Sequence, residues 1–119
     1  MKESLKAFFR YTKAWKLNEY ECLKLLSSPE QHTYESWLSG VVNENDVSEQ
    51  LLDRLSQLLN IYKILSHRHS DKNQCLFLRN YTTDGFFQER SPLDFMMFDY
   101  EGLSFVRNYL EMGYGIENE

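Results

Sequence analysis

Apolar positions recur at helical spacing along almost the whole chain. Over residues 3–16, Leu5, Phe8, Phe9, Thr12 and Trp15 fall on one face, and Lys2, Lys6, Arg10 and Lys13 share another. The pattern predicts an amphipathic helix. Asn18 with Glu21 three residues later forms a capping box, so a second short helix is expected to about Leu26. In "SSPEQ" the same logic places Ser28 as cap, Pro29 at the first helical position and Gln31 closing the box, with a helix through Trp37 and Leu38 that stops at Gly40. After the polar "VVNENDV", Asp46 or Ser48 caps a long helix in which Leu51, Leu55, Leu58, Tyr62 and Leu65 step by four and three. Leu52, Leu59 and Ile61 widen its stripe, so it reads as the central helix.

"HRHSDKNQ" breaks that helix, and another is expected over about 71–79 with Cys75, Leu76, Phe77 and Leu78. "NYTTDGFFQE" is turn-rich, with a tight turn at Asp84-Gly85. In "ERSPLDFMMFD" Ser91 caps, Pro92 supplies a pre-set φ where a missing N–H costs nothing, and Asp94 meets the positive end of the dipole. That helix runs through Phe98. A last one, in "DYEGLSFVRNYLEMG", points Leu103, Val106, Tyr109 and Leu110 inward and ends at Gly113. No segment alternates as a strand would. The expected fold is therefore all-α: a helix-turn-helix-like part over 1–45, then a part over 46–119 that begins with the long central helix and closes on the two C-terminal helices.

Composition narrows the function more than the fold. At 119 residues the chain is one domain's worth, and no apolar run approaches the roughly 18 residues of a membrane helix. Charges interrupt the first apolar positions and no small-residue cleavage site follows, so no signal peptide is expected. Cys22 and Cys75 lie in helical segments at neither metal nor C-x-x-C spacing, which fits reduced thiols in a cytoplasmic protein. Net charge is −5, yet residues 1–25 carry +3 and the remainder −8. This asymmetry fits two unlike partners.

Catalytic patterns are lacking. There is no G-x-S-x-G, P-loop or H-E-x-x-H, so neither an enzyme nor a cofactor is expected. His67, His69 and Asp71 cluster in sequence, but on a helix the two imidazoles point roughly 200° apart and cannot share a metal. They read instead as groups favoured by a helix C-terminus, and no metal site is assigned. The glycines of "MGYGIENE" follow a helix and so serve a C-cap, not a phosphate cradle. In the helix-turn-helix reading, Gln31, His32, Thr33 and Tyr34 would face a DNA groove, with Lys13 and Lys24 on phosphates. Glu30 and Glu35 oppose that. Phe86, Phe87, Tyr100 and Tyr114 are the aromatics most expected to face a protein partner.

The segments "YESWLSG", "LLDRLSQLLNIYKIL" and "RSPLDFMM" followed by "GLSFVRNYL" stand in the order of the Xre/MbcA/ParS-type antitoxins, partners of RES-domain toxins. The chain resembles that family over roughly residues 20–115. Trp37 and Gly40 match the end of its helix-turn-helix; Arg54, Leu55, Leu59, Ile61, Tyr62 and Lys63 match its central helix; Arg90, Ser91, Pro92, Leu93, Asp94 and Gly102 match its toxin-binding segment. The resemblance implies a dimeric, non-enzymatic antitoxin of a type II toxin–antitoxin system that occludes an NAD-consuming RES toxin and autoregulates its operator. The toxin-binding residues it implies, taken with the neighbouring loop and tail, are Phe86, Phe87, Arg90, Ser91, Asp94, Tyr114, Glu117 and Glu119. The other reading is a stand-alone helix-turn-helix transcriptional regulator. Ser36 stands where the family has an arginine before the tryptophan, Asn60 replaces a glycine, and Phe77 lies near a usual tryptophan.

Overall fold

A computed structural model describes residues 2–80, 87, 90–99 and 101–113. Every regular element among them is helical: α1 (Lys2–Ala14), α2 (Glu19–Leu25), α3 (Gln31–Leu38), a single 3-10 turn (Glu44–Asp46), α4 (Glu49–Arg68), α5 (Asp71–Arg79), α6 (Pro92–Phe98) and α7 (Gly102–Glu111). None of these is long and apolar enough to cross a membrane. The Asp84-Gly85 turn expected from sequence lies outside the described residues.

Local side-chain chemistry sets most helix starts. Asn18 accepts the Glu21 N–H while Glu21 accepts the Asn18 N–H, a complete capping box. Ser48, not Asp46, caps α4 by accepting from Leu51, and Ser70 caps α5 by accepting from Asn73. Ser91 caps α6 by accepting the Asp94 N–H at 3.1 Å, with Pro92 opening the helix.

The expected cap at Ser28 is not formed. Ser27 and Ser28 both adopt left-handed backbone, φ +66° and +55°. Their N–H groups return to the carbonyls of Lys24 and Leu23, a Schellman-type closure of α2. A residue spent in that way lacks the extended backbone of an N-cap, and α3 starts later, after Glu30, without a side-chain cap.

One buried cluster unites both parts of the chain, from Leu5, Phe8 and Trp15 through Leu55, Leu58, Ile61 and Leu65 to Met96, Leu103, Val106 and Leu110. Helix α4 packs between α1 and α7, and α6 packs against α2, α5 and α7. Leu52 departs from the expected stripe. It is exposed, because α4 presents Leu51 and Leu55 inward and turns position 52 to solvent.

Three polar links, the first buried and the others at the edge of the core, join residues far apart in sequence. Trp15 donates its indole N–H to the Gln74 side-chain carbonyl at 2.8 Å, and Gln74 donates in turn to the His69 backbone. Arg79 grips Glu21 bidentately at 2.8 and 2.9 Å and also donates to the Lys16 carbonyl. Arg54 donates to the Leu25 carbonyl at 2.6 Å and to the Met96 carbonyl at 3.2 Å. It thereby serves the C-terminal ends of α2 and α6 together, where carbonyls lack intrahelical partners.

The α6–α7 corner tolerates no side chain at its apex. A Cβ built on Gly102 would stand 1.8 Å from the Phe95 carbonyl oxygen. We predict that Gly102→Ala destabilises the protein by about 2–3 kcal/mol, since the obstacle is backbone and the corner must open. Urea denaturation followed by circular dichroism measures this; a loss under about 0.5 kcal/mol, the scale of a neutral surface change, contradicts it.

Candidate functional site

The α6–α7 corner gathers an ion pair, a helix cap and a cation–π contact at one place on the surface. Arg90 precedes the Ser91 cap and reaches over the helix to Asp99 at its far end, with nitrogen–oxygen distances of 2.8 and 3.0 Å. It also donates to the Asp94 carbonyl, and its guanidinium lies 4.4 Å from the centre of the Phe95 ring. One arginine therefore clamps the whole of α6, by charge to its end and by cation–π contact to its middle. Glu101, φ +61°, adopts left-handed backbone between the two helices, the strained step that lets Gly102 come against Phe95.

Beside the corner a groove of about 570 Å³ runs between the first half of α4 and the start of α7, lined among others by Glu49, Asp53, Arg54, Asp99, Glu101 and Ser104. It continues into a smaller hollow of about 310 Å³ against Phe95, Phe105 and Asn108. Arg54 is turned into the backbone and Asp99 is held by Arg90, so Glu49, Asp53 and Glu101 give the groove an acidic rim. Ser104 donates to Gln57 at 2.7 Å, fixing α7 against α4 along the floor.

The structure separates the residues expected to meet a protein partner. Arg90 and Asp94 are half-buried at the corner. Ser91 is buried, its hydroxyl committed to the cap. Phe87 requires a correction: it is fully buried, its ring 4.8 Å from Tyr109, 5.1 Å from Phe95 and 5.4 Å from Phe105. An aromatic in a turn-rich sequence looks like an interface residue, but the Phe87 ring itself lies in the core. Phe86, Tyr100, Tyr114, Glu117 and Glu119 lie outside the described residues.

The expected DNA-facing residues divide similarly. Gln31 and His32 are exposed and Thr33 half-buried, but Gln31 contacts Glu19 at 3.3 Å and His32 sits 3.3 Å from Glu30. Tyr34 is corrected from a DNA contact to a core residue: it is 3% exposed, its ring packed edge-on to Phe9. Lys13 is exposed, whereas the Lys24 ammonium lies over the Tyr20 and Phe98 rings, 5.7 and 5.9 Å from their centres. Ser36 donates to the Val41 carbonyl and so closes the end of α3. Among the described residues no group of three or more His, Cys, Asp or Glu side chains is placed to hold a metal ion.

Sequence reading missed the Glu21–Arg79 pair and the Trp15–Gln74 bond. Glu21 carried a signal as a capping residue, but nothing local marks a partner 58 positions away. Comparison of the chain with protein-family models, curated proteins and solved structures gives no match.

The Glu21 carboxyl makes the stability of the fold depend on pH. Burial alone would raise its carboxyl pKa, but the Arg79 hydrogen bond, the Asn18 N–H and the Arg79 charge outweigh burial and hold it below the ordinary value of 4.5. A pKa lowered on folding contributes stability that is present above the unfolded value and lost as pH falls through the folded one. We predict that Glu21→Gln flattens the stability decline below about pH 4.5 relative to the parent chain. Urea midpoints measured from pH 6 to 3 test this, and parallel declines in the two proteins contradict it.

Proposed function

We propose that the chain is an antitoxin that binds and occludes a RES-domain, NAD-consuming toxin, with the α6–α7 corner as the core of its toxin-facing surface. The observation that carries this reading is the interlocking of the motif residues. Arg90, Ser91, Pro92, Asp94 and Gly102, through which the C-terminal segment resembles the antitoxins, are the clamp, cap, helix start and apex of one corner. A corner held in this way is pre-organised, and a surface that needs no ordering on association loses less entropy in binding.

The acidic groove beside it supplies the matching chemistry. Its rim favours basic side chains, and acidic Glu117 and Glu119 follow α7 in sequence. Occlusion needs only that a rigid surface cover an active-site mouth; no residue of this chain takes part in a reaction. The stand-alone regulator has less support, because Tyr34 and Trp37 of α3 face the core while Glu30 and Glu35 face solvent.

The test is co-expression with the product of the adjoining reading frame, followed by size-exclusion chromatography and an assay of NAD loss. A stable complex with suppressed NAD loss is expected. Arg90→Ala should weaken that complex by roughly tenfold or more, about 1.4 kcal/mol, while helical circular dichroism is retained. Separate elution of the two proteins, or undiminished NAD loss in the mixture, overturns the reading.

A further inference from the structure

Helix α1 and the start of α4 each keep a charged face out of the core, and the two faces are opposite in sign. Lys2, Lys6, Arg10 and Lys13 are all exposed and fall within an arc of about 80° on α1. None of the four makes an ion pair or side-chain hydrogen bond among the described residues. The opposite face of α1, with Leu5, Phe8 and Tyr11, is buried, and the Tyr11 ring stacks on Tyr62 of α4 at 5.1 Å. The cations therefore point away from the α4 of their own chain.

The carboxylates of α4 are equally unspent. Glu49 and Asp53, one turn apart, are exposed along one wall of the groove, and Glu101 is exposed across it. Glu49 and Glu101 hold no cation among the described residues, and Asp53 accepts from Gln57 at 3.1 Å. Arg54, the cation beside Asp53, is committed to two backbone carbonyls. Residues 30–53 contain six carboxylates and no lysine or arginine, so nothing close in sequence offsets the wall. Beside it Leu52 is 45% exposed, a large apolar side chain that the core does not use.

We propose that the acidic wall of α4 docks the α1 stripe of a second copy of this chain. The match is one of spacing as well as sign. Lys6 and Arg10 stand four residues apart, as do Glu49 and Asp53, about 6 Å along each helix, so two helices laid side by side bring each cation against a carboxylate. Lys2 and Lys13 lengthen the stripe to about 16 Å, enough to add a contact at either end. The alkyl stems of the same side chains are suited to cover Leu52. The net charge of −5 opposes approach from a distance, but at about 0.1 M salt charges are screened beyond about 10 Å and the groups at the contact decide. The two surfaces are unlike, so the pairing closes into a ring or continues as a chain, in contrast to a symmetric dimer built on one shared patch. This inference does not rest on the toxin reading. Where both hold, the second copy and the toxin compete for one rim, and assembly of the chain withholds its groove.

The test is sedimentation velocity of the purified full chain from about 10 µM to about 1 mM, at about 0.1 M and about 0.5 M salt. Mass should rise with concentration at the lower salt, and the affinity should be at least about tenfold weaker at the higher. Lys6→Glu with Arg10→Glu, and separately Glu49→Lys with Asp53→Lys, change only exposed residues. Each double variant should keep its helical circular dichroism and lose the association. Mixed in equal amounts the two should regain it, because each reversed face then meets one of opposite sign. Glu49→Gln with Asp53→Asn places no cation in the first turn of α4 and stands in if the lysine variant does not fold; it should weaken association at least about threefold. A chain that stays monomeric to about 1 mM overturns the proposal. Association equal to the parent's in either reversed variant alone overturns it in favour of another interface, and a mixture that fails to recover overturns it as well.

Discussion

The guanidinium of Arg54 holds the ends of two helices that come from opposite halves of the chain. The Leu25 carbonyl closes α2 and the Met96 carbonyl lies in the last turn of α6; both are backbone acceptors that α-helical geometry leaves without a partner. Burial disfavours the charged form and lowers the Arg54 pKa, with Asp53 opposing that shift, yet arginine remains charged through the range in which proteins fold. Two helix ends can therefore converge on α4 without buried unsatisfied carbonyls. Lysine, a single flexible ammonium, would not hold both in the same fixed fork.

Much of the architecture follows from that convergence. With α2 and α6 drawn to the same point on α4, Trp15 meets Gln74 and Glu21 meets Arg79, so the basic front and the acidic back share one core. The two proposed surfaces are then rigid outgrowths of one body. The α6–α7 corner carries the acidic groove, and α1 carries the cationic stripe. Their opposite charges come from the sequence, but their separation is a product of packing.

Features written in local chemistry were legible before the structure. The Asn18 and Ser91 caps, the α4 cap as one of Asp46 and Ser48, the Gly113 stop and the inward face of α7 depend on neighbours within about four residues, the range over which helix signals act. Ser28 failed because two rules claimed the same dipeptide: the closure of α2 took both serines into left-handed backbone before α3 could use one. Phe87 and Tyr34 were misplaced for a different reason. Polar surroundings in sequence say little about which ring the fold draws inward, and here Phe95, Phe105 and Tyr109 enclose one and Phe9 the other. Arg54 was singled out by resemblance, but its two carbonyl partners, 29 and 42 positions away, have no local signature. The acidic groove was hidden similarly, as it is assembled from α4, Asp99 and the start of α7.

The central claim is that one arginine couples the two halves, and native-state hydrogen exchange of the parent and of Arg54→Met tests it most directly. Methionine keeps the apolar stem and removes the donors. Amides in the last turns of α2 and of α6 should lose protection together, because each turn loses its carbonyl partner in the same event. Loss of protection at only one of the two ends, or unchanged protection at both, would contradict the coupling.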